Sequence, residues 1–150
     1  MDEKLLDSFI KQYEDTYLFA TKRIEHMISE ELSPMTIEQF GILRQLALHG
    51  PSRPNELAKA TGVHKSSITH KSDRLIAKGY ITRSSDPGDR RYVYLSLTAE
   101  GEIVYQQSES AMRIFIKSVL EILEPREIKV LVNVQQKINH HIQNLKVEGC

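Results

Sequence analysis

Between residues 3 and 32, apolar positions recur at alternating steps of four and three: Leu6, Ile10, Tyr13, Tyr17, Ala20, Ile24 and Met27. That period lines them along one side of a long helix, and Leu5, Phe9, Phe19 and Ile28 widen the stripe beyond what one partner helix would cover. The theme returns between residues 99 and 146. There it runs through Ile103, Met112, Phe115, Ile116, Val119 and Leu123, and then, past Glu124-Pro125, through Ile128, Leu131, Val134, Ile138, Ile142 and Leu145. Pro125 predicts a helix break, with the proline near the start of the second helix. A second copy of the chain would supply the missing cover, so these outer segments are read as dimerisation helices.

The middle of the chain has shorter periods and stronger punctuation. Thr36-Ile37-Glu38-Gln39 has the form of a capping box, in which hydroxyl and amide side chains satisfy each other's backbone donors, and it opens a helix that Gly50-Pro51 stops after His49. A short helix follows Ser52-Arg53-Pro54, turns Leu57 and Ala58 inward, and ends at Thr61-Gly62, where glycine permits a left-handed turn. The next helix runs from His64 to Lys78 and is closed by Gly79. Two antiparallel strands are then predicted, Tyr80 to Arg83 and Arg91 to Leu97, around a Pro87-Gly88 turn. Thr98 caps the following helix, and Glu100 sits near that helix's positive end.

Composition alters this picture only in part. A chain of 150 residues with 40% hydrophobic and 27% charged content is one ordinary domain with room for a core. A formal net charge of zero argues against a cation-coated protein. Residues 64–91, however, hold seven lysines and arginines against three aspartates, so this segment carries +4 and the remainder −4. That asymmetry is a local electrostatic footprint.

The footprint falls where base-reading chemistry would sit. With Ile68 and Leu75 facing inward, a step of about 100° per residue turns Ser66, His70, Asp73 and Ala77 outward and leaves Ser67, Thr69 and Arg74 on the flanks. Short hydroxyls, an imidazole and a cation suit the edges of bases in a major groove, while Lys65 and Arg74 suit phosphates. A merely solvated helix face has a similar composition, and the hairpin separates the two readings. Arg90 and Arg91 stand beyond a turn, where a guanidinium fits a narrow minor groove. Asp89 lies two residues from Arg91, on the same face of a strand, and would hold its fork in one orientation.

The run from Phe40 to Gly101 resembles the MarR family of bacterial winged-helix regulators. The resemblance is carried by Glu56-Leu57-Ala58, Ile68-Thr69, Asp73-Arg74-Leu75, Lys78-Gly79-Tyr80-Ile81, Asp86-Pro87-Gly88-Asp89-Arg90-Arg91 and Leu97-Thr98-Ala99-Glu100-Gly101. It implies a mainly α fold with a small β-wing (α+β). A winged helix-turn-helix lobe over residues 36–98 would be flanked by dimerisation helices over 3–32 and 99–146, all in a single domain of residues 1–150. It further implies a homodimer on a pseudo-palindromic double-stranded operator, with recognition helices entering successive major grooves about 34 to 36 Å apart. DNA-binding residues would be Lys65, Ser66, Ser67, Thr69, His70, Arg74, Arg90 and Arg91, with Asp89 supporting the wing. Many such proteins are repressors released by an amphipathic or phenolic effector. One departure stands out: where the family carries two aliphatic residues, this chain has Lys71 and Ser72, which thins the inner face of that helix.

Other chemistries are poorly supported. His140-His141, and His26 on the first helix, invite a metal reading, but adjacent helical residues point about 100° apart and do not readily chelate one ion without help from elsewhere, so solvated or partly packed imidazoles are expected and no metal or other cofactor. There is one cysteine, Cys150, which excludes an intrachain disulfide, and it follows Glu148-Gly149 beside a carboxylate that raises a thiol's pKa, which disfavours thiol sensing. Neither a leader nor a membrane span is expected, and the reading is cytoplasmic. Enzyme signatures such as G-x-S-x-G, H-E-x-x-H or a phosphate loop are absent, so no catalysis is expected. Core packing is the expected role for most of Tyr13, Tyr17, Phe19, Phe40 and Phe115, with an effector pocket as the alternative. The rival to DNA binding is a winged-helix module that binds protein.

Overall fold

The computed structural model describes residues 2–30 and 35–145. Positions 31, 32 and 146 of the expected outer helices, and Cys150, lie outside them. In chain order the elements are α1 (Glu3–Glu30), α2 (Ile37–His49), α3 (Pro54–Thr61), α4 (Lys65–Ala77), β1 (Ile81–Ser85), β2 (Val93–Leu97), α5 (Ala99–Leu120) and α6 (Pro125–Asn144). Contacts divide the chain into two compact units, residues 1–112 and 113–150.

In the first unit each helix starts and stops where local chemistry dictates. Thr36 accepts from the Gln39 amide at 3.2 Å while the Gln39 side chain accepts from the Thr36 amide at 3.0 Å, which is the expected capping box of α2. Gly62 ends α3 at φ 68°, ψ 9°, a left-handed conformation that side chains with a Cβ rarely adopt. Pro54 opens α3, and Pro125 opens α6 after the expected break.

The core gathers Ile42, Leu43 and Leu46 of α2, Leu57 of α3, Ile68 and Leu75 of α4, Ile81 and Leu95 of the strands, and Val104 and Tyr105 of α5. Each fully covered aliphatic side chain contributes about 1.5–3 kcal/mol relative to exposure. Phe40 stacks on Tyr105 with ring centroids 6.0 Å apart. Burial and the neighbouring Glu109 push the Tyr105 hydroxyl above the usual tyrosine range.

The sheet is an antiparallel pair, in register from Ile81 opposite Leu97 to Ser85 opposite Val93. A third piece of chain joins it: Ser52 and Leu95 exchange amide-to-carbonyl bonds of 3.0 and 2.9 Å. Both strands differ from expectation at the tip end. The first continues through Ser85, and the second begins only at Val93, so Arg91 and Tyr92 belong to the turn.

One junction sets how α4, the hairpin and α5 meet. Beyond α4, the Tyr80 amide donates to the Leu75 carbonyl (3.0 Å) and the Gly79 amide to the Ile76 carbonyl (2.9 Å), with Gly79 at φ 77°. This double bond pattern reverses the chain and buries Tyr80 against the same core as Leu75. Thr98 then clamps the reversal to the next helix. Its hydroxyl donates to the Gly79 carbonyl at 2.6 Å and accepts from the Gly101 amide at 2.9 Å, while its own amide donates to the Tyr80 carbonyl at 3.1 Å. Gly101 is so close to that carbonyl that an added Cβ would lie 1.8 Å from the oxygen.

The Lys71-Ser72 departure from the family pattern has a structural answer. Lys71 is not an inner-face residue: it leaves α4 sideways and pairs with Glu38 of α2. Ser72 does take a fully covered position, and its Oγ has no hydrogen-bond partner; Ser108 of α5 is in the same state. In the second unit, α6 buries none of its described side chains. Leu123, Arg126, Glu127, Val130, Leu131 and Val134 line an open, mostly apolar groove along its first half. Among the described residues no helix is long and apolar enough to cross a membrane.

Two substitutions test this packing by thermal unfolding. Gly101→Ala forces Cβ into the Tyr80 carbonyl and is expected to destabilise by at least about 3 kcal/mol, as overpacking against fixed backbone does; a change under 1 kcal/mol would show that the contact is soft. Ser72→Ala removes an orphaned buried hydroxyl and is expected to stabilise by about 1 kcal/mol.

Candidate nucleic-acid interface

The N-terminus of α4 is capped by an imidazole. His64 occupies the cap position: its Nδ1 accepts from the Ser66 amide at 3.4 Å and lies 2.9 Å from the Ser66 hydroxyl oxygen. From there the helix exposes Lys65, Ser66, Thr69, His70, Asp73, Arg74 and Ala77, while Ser67 is half-buried on the flank. The sequence-predicted outer face is therefore the exposed one. Ser66, however, is already engaged by His64.

The wing tip is built from its own short-range bonds. The Gly88 amide donates to Asp86 Oδ1 (2.7 Å), the Tyr92 amide to the Asp89 carbonyl (3.0 Å), and the Asp86 amide to the Tyr92 carbonyl (2.9 Å). Inside that turn the Arg91 amide donates to Asp89 Oδ1 (3.0 Å), and the guanidinium closes a fork on the same carboxylate. Its Nε lies 3.0 and 3.2 Å from the two oxygens and its Nη2 lies 2.7 Å from Oδ2. The Asp89–Arg91 partnership is as expected, but its geometry is a turn rather than a strand face. A side chain two residues along reaches back because the backbone folds toward it. The fork leaves the Arg91 side chain 87% exposed. The guanidinium holds the Asp89 carboxyl below its usual range, and the carboxylate in turn raises Arg91.

Two further arginines tie the hairpin to the helices. Arg83 of β1 bonds Asp73 of α4 at 2.9 Å, so the exposed aspartate at the centre of the outer face is an anchor for the wing. On the other side, the guanidinium of Arg53, at the cap of α3, donates through Nε and Nη2 to the Tyr94 hydroxyl at 3.3 and 3.1 Å. It also lies 4.1 Å from the centre of the Tyr92 ring. The hydrogen bonds it donates to Tyr94 are the main reason the Arg53 guanidinium is held above its ordinary value. The sequence reading missed Arg53. The signal available was Tyr92-Val93-Tyr94, two aromatic rings at a two-residue step, which an extended chain places on one face.

Arg90 is exposed at the tip. No group of three or more histidine, cysteine, aspartate or glutamate side chains among the described residues is arranged to hold a metal ion. The aromatic residues divide. Phe40 is core, Phe115 is half-buried, and Tyr13, Tyr17 and Phe19 stand exposed on α1, contrary to the expectation of packing for most of them.

Comparison with known proteins follows the same outline. The MarR family model matches residues 35–93. The HTH-type transcriptional repressor MdtR of Bacillus subtilis is 30% identical over 121 residues, covering 81% of this chain and 78% of MdtR. BpsR of Bordetella bronchiseptica, whose DNA binding is regulated by 6-hydroxynicotinic acid, superposes with a TM-score of 0.69 at 25% identity, over 85% of this chain and 98% of that one. FabT of Streptococcus pneumoniae, solved in complex with DNA, shares the fold with a TM-score of 0.78 at 18% identity, over 97% and 100% of the two chains.

The Asp89–Arg91 fork has a pH signature. A carboxyl whose folded value is depressed contributes stability above its unfolded value, and loses that contribution as pH falls through the folded value. The pair is thus intact throughout pH 6–8 and opens only in acid. Carbon-13 NMR titration of the Asp89 carboxyl should give a midpoint below the ordinary aspartate value of about 3.9, and Arg91→Ala should move it back up. A wild-type midpoint at or above the ordinary value would mean that the fork is not formed in solution.

Proposed function

The chain belongs to the MarR family of transcription regulators, and from that premise we propose that it is a homodimeric, sequence-specific DNA-binding repressor. In this reading a small amphipathic or phenolic effector releases it from a pseudo-palindromic operator in the cytoplasm. The observation that carries the reading is the pairing of two exposed surfaces in one compact unit. One is the outer face of α4, with its hydroxyls, imidazole and cations; the other is a wing whose Arg91 is pre-aimed by Asp89. Lys65 and Arg74 grip phosphates, Ser66, Ser67, Thr69 and His70 approach base edges, Arg91 enters the flanking minor groove, and Arg90 adds charge at its entrance.

The homodimer is supported by what the single chain leaves uncovered. Leu5, Phe9, Tyr13, Tyr17 and Phe19 on α1, Ile114 on α5 and Val130, Leu131, Val134 and Ile142 on α6 are all exposed. Apolar surface on that scale, present on each of the two units, marks association surfaces. The repressor assignment follows the relative MdtR, and the effector follows BpsR, whose ligand is a small hydroxylated aromatic acid. That effector would shift the population of dimers away from the DNA-competent spacing of their lobes.

Gel retardation on the chain's own upstream region, with salt varied, tests the proposal. Wild type should retard the duplex and lose affinity steeply with salt, and Lys65→Ala should lower the slope by about one unit. Arg91→Ala should weaken binding by about 1–3 kcal/mol. No retardation at low salt by wild type would leave a protein-binding module as the reading. Light scattering at micromolar concentration should give a dimer, and a monomer would sink the association model.

A further inference from the structure

We propose that Arg53 is a positioning residue for DNA binding: it straps the stem of the wing to α3 and so fixes where Arg91 points. The inference rests on the DNA-binding reading above for its functional consequence, though not for its geometry.

Arg53 is itself held firmly. Its amide donates to Glu56 Oε2 at 2.7 Å at the start of α3, and the preceding residue, Ser52, is paired in both directions with Leu95 of β2. The side chain therefore leaves a fixed backbone point beside the hairpin stem. It spends its Nε and Nη2 on the Tyr94 hydroxyl and lays its plane near the ring of Tyr92, 4.1 Å from the ring centre. Tyr92 is the residue after Arg91, and its amide bond to the Asp89 carbonyl closes the turn that holds the Asp89–Arg91 fork. Arg53 thus reaches the base of that turn without touching its tip.

A strap is needed here because a two-stranded ribbon is marginal by itself and twists easily about its stem. Arg83–Asp73 restrains it from α4, and Arg53 restrains it from α3. With both in place, the orientation of the wing relative to the recognition helix is determined from two sides. The same commitment argues against a direct phosphate contact by Arg53, because its donors are turned toward Tyr94 and its face toward Tyr92. A phosphate contact is instead an outcome of the test.

The test uses a fluorescein-labelled 36-base-pair duplex (a length chosen to span about two major grooves plus flanks) selected by the wild-type protein from a randomised pool. Affinities are measured for wild type, Arg53→Met, Arg91→Ala and the double variant. Methionine keeps the apolar stem of the strap while removing its charge and both bonds. If Arg53 acts through Arg91, Arg53→Met weakens binding about five- to tenfold in the wild-type background and less than about twofold once Arg91 is gone. Tyr94→Phe, which removes only the hydroxyl, should move affinity in the same direction by a smaller factor. Independently of DNA, hydrogen exchange at the Arg91 and Tyr92 amides should quicken about fivefold in Arg53→Met, while the buried α5 amides of Val104 and Tyr105 stay unchanged.

An equal loss in both backgrounds, with the salt slope reduced by about one unit, would mean that Arg53 grips a phosphate for itself and would overturn the strap. Unchanged exchange at Arg91 and Tyr92 would overturn it as well. If wild type selects no duplex at all, the DNA-binding reading fails, and the exchange measurement alone decides whether the strap stands.

Discussion

The approach of the Tyr80 carbonyl to Gly101 is the constraint on which the rest of the first unit depends. Four elements end or begin within a few residues of it: α4 stops at Ala77, β1 starts at Ile81, β2 stops at Leu97 and α5 starts at Ala99. The contact is possible only because residue 101 lacks a Cβ and because Gly79 accepts a positive φ. Thr98 closes the arrangement with three bonds, two of them to the reversed chain beyond α4. Helix α4 and the hairpin are thereby fastened to a common point at the base of the wing, while the side chains of Arg83 and Arg53 restrain the hairpin farther along its stem.

Charge is used here mainly to orient and only partly to attract. Among the cations in residues 64–91, Lys71 is committed to Glu38, Arg83 to Asp73 and Arg91 to Asp89. Exposed pairs of this kind add little stability, so their effect is directional. They explain how a chain with no net charge can still present an ordered cationic surface. Two of the three aspartates in the segment, Asp73 and Asp89, lie beside the arginines they steer, and Lys65, Arg74 and Arg90 remain exposed.

Much of this was legible in the chain because it is written in local signals. The Thr36 capping box, the left-handed glycines at 62 and 79, the proline at 125 and the Thr98 cap each depend on a few neighbouring residues, and all stand where expected. The Asp89–Arg91 partnership was found for a partly wrong reason. Spacing identified the partners, but the structure joins them across a turn, since the second strand starts two residues later than its β-rich composition implied. Arg53 was hard to find because its partners lie about forty positions away: Tyr92-Val93-Tyr94 marks an aromatic face, but nothing local marks an arginine before a proline as anything but a helix start. Burial misled in both directions. Ser72 reads as a weak spot yet is fully covered, whereas Tyr13, Tyr17 and Phe19 read as core and are exposed in a single chain, because periodicity reports which face is apolar and says nothing of what covers it.

The turn between Asp86 and Tyr92 closes every one of its bonds within seven consecutive residues. The direction in which its arginine points relative to the turn is therefore set largely within a heptapeptide, which α3 reaches through the Arg53 guanidinium beside the Tyr92 ring. Such a tip is portable. A different hairpin of the same width would inherit an oriented guanidinium along with those seven residues, while the height and tilt at which it is carried would have to be supplied afresh by the recipient scaffold. Evolution can accordingly vary the aim and the mounting of the wing as separate traits.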